Sequence, residues 1–367
     1  MSGALRAPEH IREIQIYTPG KPVELLKKEL GLARIVQLGS NENTRGPSPK
    51  VLATLASALP EVGFYSDAGG YLLRQALAAR YRLGFEQVLL GNGSGELIDL
   101  ICRAFAGPGQ VVAMSGLPFV QYRLSAQLVG ARSAMVPVEG ATRRDDIEGF
   151  VRAAQEARVV FLANPNNPTG TYVRRDELAD YFERVGDDVL TVVDQAYQEY
   201  VTEPDYPDAL DYLRQGRNVI VLGTFSKAYG LAGLRVGYAL GPAELLGDLE
   251  RVRLPFNTTS LGQVAALAAL DDPAWVAEAR ERNLRERAFL ATGLEELGFR
   301  LTRSVANFVL AEGNTPGTEI ARELERRGLQ VRDFGAPALA RSLRITVGTH
   351  EECQQLLSAL AELGFPR

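Results

Sequence analysis

Short apolar runs alternate with helix-like segments along much of this chain, and that alternation limits the folds open to it. The runs are VVAM at 111–114, VVFLA at 159–163, TVVD at 191–194 and VIVLG at 219–223. Buried strands joined by helices form parallel sheets, so the pattern predicts an α/β domain with a mostly parallel sheet flanked by helices. Ligands of such sheets bind beyond the carboxyl ends of the strands, where we therefore expect the functional residues.

A change of pattern beyond Asn257 predicts a second, smaller domain. Long helices are expected at about 260–270 and 273–297, followed by short strands near 307–311 and 342–347 with a helix between them. This is typical of an α+β domain. The length of 367 residues suits two domains, and 46% hydrophobic with 23% charged residues is ordinary for a soluble globular protein.

The charge and the cysteine content of the chain argue against some classes of partner and indicate its cellular location. The net charge is -5, and no Lys/Arg cluster is interleaved with aromatic residues, so nucleic acid is not an expected partner. Cys102 and Cys353 lie in helical patterns, which favours buried thiols in a reducing compartment, and His10 and His350 lack metal-ligand spacing. The first twenty residues lack the apolar core of a signal peptide, and no apolar run is long enough to span a membrane. We predict a cytoplasmic protein without a metal site.

Three polar residues follow the apolar runs and have complementary chemistry. They are Asn167 in NPNNPTG, Asp194 in VVDQAY and Lys227 in TFSKAYG. An acid at Asp194 would stabilise a protonated pyridine nitrogen, which makes the ring a strong electron sink. Asn167 and Tyr197 could donate to a ring hydroxyl, and Phe119 could stack on the ring. A lone aspartate at a strand end more often caps a turn, so this motif alone leaves both interpretations open.

Residues 223–238, GTFSKAYGLAGLRVGY, place a lysine in a glycine-rich loop with groups suited to a phosphate. Thr224 and Ser226 offer hydroxyls, and Arg235 offers a planar fork of donors. The turn in GNGSGELIDL precedes a helix expected near Glu96, whose free backbone N–H groups could also bind a phosphate. Together they suit an aldehyde cofactor that carries a phosphate, although each loop alone could be an ordinary turn.

In LRITVG, near the end of the sequence, Arg344 alternates with apolar residues. Leu343 and Ile345 would pack on one face of a strand while Arg344 projects from the other. An arginine so placed could hold a substrate carboxylate through two hydrogen bonds, or it could be an exposed residue on an edge strand.

With these pieces in order, the chain resembles the pyridoxal-phosphate-dependent aminotransferases of fold type I, and most closely the histidinol-phosphate aminotransferases. The motifs that carry the resemblance run almost end to end and are YTPGKP with ELGL, SNENTRGPSP, GNGSGELI, NPNNPTG, VVDQAYQEY, TFSKAYGLAGLRVGY, RLPFNTTSLGQ, ANFVL and LRITVG. The resemblance implies an N-terminal segment, 1–40, that packs with the small domain. It also implies a large cofactor-binding domain at 41–258 and a small C-terminal domain at 259–367.

The resemblance also implies a role for each cofactor-site residue. Lys227 forms the internal aldimine, Asp194 pairs with the pyridine nitrogen, Asn167 and Tyr197 hold the ring oxygen, and Phe119 stacks on the ring. The phosphate is bound by the backbone or side chains of Ser94, Gly95, Thr224, Ser226 and Arg235. Beside Arg235 and partly desolvated, Lys227 is expected to have a lowered pKa, so that it can move a proton between the substrate Cα and the cofactor.

The implied reaction moves an amino group between histidinol phosphate and 2-oxoglutarate in L-histidine biosynthesis. Arg344 would meet the phosphate ester or the oxo-acid carboxylate, and the residues expected to line the substrate side are Tyr17, Tyr122 and Asn307. Tyr65 resembles the tyrosine that reaches the cofactor phosphate from a second subunit, which implies a homodimer.

Several departures from the family pattern leave the amino donor open. Thr44 and Arg45 stand in NENTRGP where Pro and Tyr are usual, and Gly95 replaces an acidic or amide residue. An aminotransferase of aromatic or other amino acids would share the same lysine, aspartate and arginine. A decarboxylase of phosphorylated amino acids would share Lys227 and Arg344, whereas a ligand-sensing transcription regulator would need a helix-turn-helix domain that we do not find in the sequence.

Overall fold

The computed structural model describes residues 5–15 and 22–366, and within them the chain forms one sheet of seven strands and one of five. The first elements are α1 (Glu9–Arg12), α2 (Val23–Leu30), β1 (Val36–Leu38), α3 (Pro49–Ala58) and α4 (Tyr71–Tyr81). The large sheet and its helices follow, as β2 (Val88–Asn92), α5 (Gly93–Phe105), β3 (Val111–Ser115), α6 (Val120–Leu128), β4 (Arg132–Val136), α7 (Ile147–Ala154), β5 (Val159–Ala163), α8 (Arg175–Arg184), β6 (Leu190–Asp194), α9 (Leu210–Arg214), β7 (Val219–Thr224), β8 (Val236–Leu240) and α10 (Ala243–Val252). The last elements are α11 (Ser260–Leu270), α12 (Pro273–Glu296), β9 (Arg300–Thr302), β10 (Phe308–Glu312), α13 (Gly317–Arg326), β11 (Leu329–Asp333), β12 (Ser342–Thr346) and α14 (His350–Leu363).

The seven-stranded sheet has the order β2-β8-β7-β6-β5-β3-β4. Neighbours from β4 to β7 pair in parallel, and β8 is antiparallel to both β2 and β7. Val160 and Leu162 face one core while Phe161 faces the other, because successive strand residues point to opposite faces. Both faces are covered, so the strands read as continuous apolar runs. The predicted α/β class is confirmed.

Three neighbouring parallel strands end at the same edge of this sheet. Ala163 at the end of β5 pairs with Asp194 at the end of β6, and Asp194 pairs with Leu222 near the end of β7. The loops that follow these strands carry Asn167, Tyr197 and Lys227. Parallel pairing therefore brings residues that are distant in the sequence to one edge of the sheet.

The five-stranded sheet has the order β1-β11-β12-β10-β9 and encloses a separate apolar core with α12, α13 and α14. In this sheet β1 pairs in parallel with β11, so a segment from early in the chain joins strands from its last part. The helix α1 instead contacts α6, beside the large sheet. The described part of the predicted N-terminal segment thus packs on both halves of the molecule.

Helix α11 follows the predicted boundary at residue 258 but packs on the large half of the molecule. Ala265, Ala266 and Ala269 of α11 belong to the core of the large sheet, and this helix contacts α3 and α4. Its small alanine side chains allow close helix packing. The structure therefore assigns α11 to the large half, whereas the limits at 40 and 258 as domain boundaries stay predictions.

Most predicted element bounds lie within one residue of those observed, including β5, α11, α12 and β10. The helix expected near Glu96 begins earlier, at Gly93, because the glycine-rich turn itself forms its first turn. Across residues 5–15 and 22–366, no helix has the length and apolarity needed to cross a membrane.

Candidate active site

A cavity of about 290 Å³ lies at the carboxyl edge of the large sheet and is closed on one side by residues of β12 and of the loop after β1. It brings together most of the residues predicted for the site, namely Ser94, Gly95, Phe119, Tyr122, Asn167, Asp194, Tyr197, Thr224, Ser226, Lys227, Arg235 and Arg344. Two further lining residues, Ser40 and Asn41, were not identified by the sequence reasoning.

Lys227 reaches into this cavity from the loop after β7. Its Nζ donates to the backbone oxygen of Ser40 at 3.1 Å and lies 5.6 Å from the centre of the Tyr197 ring. The pKa of Lys227 is lowered to about 8, chiefly by burial and then by the positive charges of Arg344 and Arg235, which the negative charges of Glu42 and Asp194 partly offset. The predicted lowering of this pKa is confirmed, with Arg344 as the stronger of the two charges. A substantial fraction of the amine is thus neutral near physiological pH.

Asp194 is buried at the end of β6, with both carboxylate oxygens engaged. Tyr122 Oη donates to Oδ2 at 2.7 Å, and the backbone N–H of Ala196 donates to Oδ1 at 3.1 Å. Burial raises the pKa of Asp194, and these two hydrogen bonds and the charge of Lys227 oppose that rise. A cationic ring N–H in the cavity would offset the desolvation of the buried carboxylate, so the site fits a protonated pyridine.

The hydroxyl of Tyr197 is held by two side-chain amides. Asn41 Nδ2 donates to Tyr197 Oη at 3.0 Å, and Asn167 Nδ2 donates to it at 3.3 Å. The Tyr197 ring packs edge-on against Phe308, with the ring centres 5.2 Å apart. A buried tyrosine whose oxygen accepts two N–H groups keeps its own proton for a further acceptor, as a ring oxygen in the cavity would require.

The start of α5 and Arg235 form a concave set of donors suited to a phosphate. Gly93 has φ +75°, and a Cβ at this position would lie 2.5 Å from Nη2 of Arg235. Gly237 similarly allows β8 to approach the backbone N–H of Ser94, because a Cβ there would lie 2.4 Å from that nitrogen. These glycines let the guanidinium and strand β8 lie against the first turn of α5, where free N–H groups and the helix dipole favour an anion. The hydroxyls of Thr224 and Ser226 line the same cavity.

Arg344 projects from β12 as its alternation with apolar residues predicts. Leu343 and Ile345 are buried in the small-sheet core, whereas the Arg344 guanidinium lines the cavity. Its Nη1 donates to Asn167 Oδ1 and its Nη2 donates to the backbone oxygen of Gly39, both at 2.6 Å. The guanidinium therefore joins the two halves of the molecule at the place where an anionic substrate group would bind.

Two predicted substrate residues have other contacts. Tyr122 lines the cavity, but its hydroxyl is bound to Asp194, and its ring stacks on Phe161 with centres 4.6 Å apart, so it supports the carboxylate instead of a substrate. Asn307 does not line the cavity: its Nδ2 donates to the backbone oxygens of Asn41 and Glu42 at 3.0 and 3.4 Å. The substrate roles of Tyr122 and Asn307 stay predictions, which these contacts do not favour.

The other two predicted residues are not part of the cavity within this chain. The side chain of Tyr65 is exposed and stacks on Phe256 at 4.7 Å between ring centres. Tyr17 lies outside the described residues, as does most of the YTPGKP motif.

Arg45, which departs from the family pattern, points away from the cavity. Its guanidinium forms an ion pair with Glu278 and lies over the Trp275 ring at 4.3 Å from the centre, both on α12. Gly95 does line the cavity, and a Cβ there would meet no atom within 4 Å. Of these two departures, Gly95 is the one that alters the shape of the cavity.

Comparison with known proteins agrees with this geometry. The family model "Aminotransferase class I and II" matches residues 33–360. A histidinol-phosphate aminotransferase of Geobacillus sp. (strain WCH70) is 42% identical over 355 residues, covering 96% of each chain. One of Anaeromyxobacter sp. (strain Fw109-5) is 42% identical over 358 residues, covering 97% of this chain and 98% of the relative.

Solved structures of aminotransferases are also similar to this chain. The histidinol-phosphate aminotransferase of Sinorhizobium meliloti, in complex with pyridoxal-5'-phosphate, superposes with a TM-score of 0.89 at 28% identity, covering 99% of this chain and 98% of that one. An aspartate aminotransferase double mutant from Thermus thermophilus shares the fold, with a TM-score of 0.83 at 23% identity and coverage of 98% and 100%. The buried acid, the phosphate-binding donors and the reactive lysine fit pyridoxal phosphate as the cofactor. The chain belongs to the class I and II aminotransferases and is a pyridoxal-phosphate-dependent transaminase.

Proposed function

We propose that this aminotransferase moves an amino group between histidinol phosphate and 2-oxoglutarate, in the biosynthesis of L-histidine. The observation that carries this proposal is the near end-to-end similarity, at 42% identity, to relatives named histidinol-phosphate aminotransferase. The geometry of the cavity supports it, because Arg344 adds a cation to the cavity that Ser94, Gly95 and Arg235 also line.

The residues at the ends of the large-sheet strands would hold the cofactor. Asp194 would bind the ring nitrogen, Asn167 and Tyr197 would bind the ring oxygen, and Phe119 would stack on the ring. The phosphate would be bound by the start of α5 with Thr224, Ser226 and Arg235. When bound, pyridoxal phosphate supplies the electron sink that weakens bonds at the substrate Cα.

Lys227 would attach the cofactor and then act as the base. With a pKa of about 8 its Nζ can be neutral at working pH, take the proton from the substrate Cα and return it to the cofactor. The 3.1 Å contact with the Ser40 backbone oxygen aligns the amine on the side of the cavity that Arg344 also lines. Proton transfer and substrate binding would therefore occur at adjacent positions.

Arg344 would bind the anionic end of the substrate. Its guanidinium, which donates to Asn167 Oδ1 and to the Gly39 oxygen, can bind a phosphate ester or a carboxylate through charge-assisted hydrogen bonds. The same arginine can serve the phosphate of histidinol phosphate and the carboxylate of 2-oxoglutarate, as an enzyme alternating between the two requires.

An aromatic amino acid is the second candidate donor, and Gly95 is the observation that favours it. The open space around this glycine leaves room for a bulky ring beside the cofactor. Arg45 does not favour either donor, because it is bound to α12.

Mixing the cofactor-loaded enzyme with histidinol phosphate in the absence of an acceptor distinguishes the donors. We expect rapid, complete loss of the visible absorbance of the cofactor, restored by 2-oxoglutarate. Phenylalanine at the same concentration serves as the comparison. Conversion by phenylalanine and none by histidinol phosphate would overturn the proposed donor while leaving the reaction class intact.

A homodimer with Tyr65 contributed across the interface is also proposed. Large apolar side chains are exposed in two short stretches, at Leu59, Val62 and Phe64 before Tyr65 and at Leu254 before Phe256, and the stack of Tyr65 on Phe256 joins the two stretches. Soluble monomers rarely expose a large apolar patch of this kind.

Mixing two inactive variants tests the shared site. Tyr65→Ala and Lys227→Ala, combined as hybrid dimers, would place both defects in one site and leave the other site intact. We therefore expect activity to return on mixing. Failure to recover activity in hybrids shown to form by light scattering would contradict a Tyr65 contribution across the interface.

The proposed location is the cytoplasm. Cys102 and Cys353 are buried and unpaired, and burial raises their pKa values to about 12 and about 11. Such thiols are suited to a reducing compartment. Fractionation of cells that express the native chain, followed by immunodetection, tests this location.

A further inference from the structure

Asn41 is a buried residue of the cavity in an uncommon backbone conformation. It lies in the loop after β1, is 1% exposed and has φ +55°. Non-glycine residues adopt positive φ infrequently, asparagine more readily than most, and such conformations persist where surrounding contacts fix them. The contacts of Asn41 therefore indicate what the conformation is for.

Thr346 and Asn307 fix Asn41 on three sides. The backbone N–H of Asn41 donates to Thr346 Oγ1 at 2.9 Å, and its backbone oxygen accepts from Asn307 Nδ2 at 3.0 Å. Thr346 Oγ1 in turn donates to Asn41 Oδ1 at 3.4 Å. With Oδ1 turned to Thr346, the amide nitrogen faces Tyr197, to which it donates at 3.0 Å.

Asn167 is oriented in the same way by a residue of the same strand. Arg344 Nη1 donates to Asn167 Oδ1, which leaves Asn167 Nδ2 to face Tyr197 Oη. Arg344 and Thr346 are two positions apart in β12 and so project from one face of it. One strand thus orients two amides that converge on a single phenol oxygen.

The two amides determine where the Tyr197 proton points. A phenol has one proton and accepts through its oxygen. Since both amide N–H groups donate to that oxygen, its proton is directed to a further acceptor, and the cavity that Tyr197 lines is where the cofactor ring oxygen would be. A hydrogen bond donated by the Tyr197 hydroxyl to the cofactor ring oxygen would disperse the negative charge of that ring oxygen.

We propose that Asn41 is a positioning residue that keeps the Tyr197 hydroxyl directed at the cofactor ring oxygen. This rests on the proposed roles of Tyr197 and Arg344. When Arg344 turns to a substrate anion, its hydrogen bond to Asn167 is shared or lost. The two hydrogen bonds between Asn41 and Thr346 involve no substrate-binding group. Asn41 is therefore the donor that remains fixed through the reaction.

The test uses the cofactor-loaded Asn41→Gly variant without substrate, because glycine adopts φ +55° without strain. Two quantities are measured: the pH midpoint of the visible absorbance of the cofactor and its dissociation constant. Without the Asn41 amide, the Tyr197 hydroxyl is a weaker acid and the cofactor ring oxygen keeps more of its negative charge. We therefore expect the pH midpoint of the visible absorbance to rise by about half a pH unit and the affinity for the cofactor to fall roughly two- to tenfold. Because no amino donor is added, failure of the histidinol-phosphate proposal would not affect these results.

Three further variants separate this role from a structural one. Thr346→Val should shift the midpoint in the same direction by a smaller amount, and Asn41→Ala should match Asn41→Gly in the spectrum while melting at a lower temperature. In a Tyr197→Phe background, Asn41→Gly should produce no further shift. The proposal would be overturned if the folded Asn41→Gly variant kept the pH midpoint and the cofactor affinity of the parent. It would also be overturned if Asn41→Gly produced the full shift of the midpoint in the Tyr197→Phe background.

Discussion

The cofactor side and the substrate side of the cavity are assembled in different ways. On the cofactor side, contacts such as Tyr122 to Asp194 and Asn167 to Tyr197 join residues 72 and 30 positions apart, all within the large half. On the substrate side, Arg344 contacts Gly39 and Thr346 contacts Asn41, each across 305 positions, because β1 and β12 belong to the same five-stranded sheet. The cofactor side is therefore fixed by the large sheet. The substrate side depends on how β1, from early in the chain, joins strands from its last part, and on the contact of Arg344 with Asn167 of the large half.

Removal of Lys227 should produce the largest effect, because this residue serves both sides. Lys227→Ala loses the attachment point and the base, and we expect turnover to fall at least about 10³-fold, within the range of general acid–base contributions. The steady-state rate of transamination measures the loss of turnover, and the visible absorbance spectrum measures the loss of the attached cofactor. Lys50→Ala, which alters an exposed lysine on α3, is the control and should retain parental activity. Substantial turnover by Lys227→Ala would contradict the assignment of the reactive lysine.

Arg344→Gln should damage mainly the substrate side. Loss of a charge-assisted, two-pronged contact costs about 1.5–3 kcal/mol, so we expect KM for the anionic substrate to rise roughly ten- to a hundredfold with the spectrum of the bound cofactor preserved. Arg300→Gln on β9, which alters an exposed ion pair with Glu312, provides a matched control with unchanged KM. A loss of cofactor binding equal to the loss of substrate binding would show that the two sides are not separable in this way.

Tyr122→Phe tests the cofactor side with a smaller change. The ring stays stacked on Phe161 while the hydroxyl bound to Asp194 is lost, so the pKa of the Asp194 carboxyl should rise further. We expect cofactor affinity to fall roughly two- to tenfold, the usual range for one hydrogen bond. Tyr181→Phe removes another buried hydroxyl, bonded to Thr191, and should leave affinity unchanged. Equal losses in both variants would indicate a general packing effect.

The difference between the two sides also explains what the sequence could predict. Apolar runs locate the strands, and parallel pairing places the residues after β5, β6 and β7 at one edge, so Asn167, Asp194 and Lys227 could be brought together in advance. Asn41 could not, because its partner Thr346 and its positive φ depend on how β1 meets the small sheet. The hydrogen bond from Tyr122 to Asp194 could not be predicted either, because the sequence does not show which side chain of the folded molecule a hydroxyl will contact.

The weakest expected effect links the two sides through charge. The positive charge of Arg344 is the second cause, after burial, of the lowered pKa of Lys227. Arg344→Gln removes the repulsion between the guanidinium and the ammonium, so the pKa of Lys227 should rise from about 8 towards, but not reach, 10.5, since burial remains.

The rate at which the cofactor-free protein binds pyridoxal phosphate again depends on the fraction of Lys227 whose amine is neutral. In the parent this rate should increase with pH through a midpoint near 8, and in Arg344→Gln the midpoint should lie higher by some tenths of a unit. Arg300→Gln again serves as the control, since it removes a surface charge outside the cavity. An unchanged midpoint in Arg344→Gln would mean that the charge of Arg344 does not set the reactivity of Lys227, and that the substrate side influences the cofactor side only through contact.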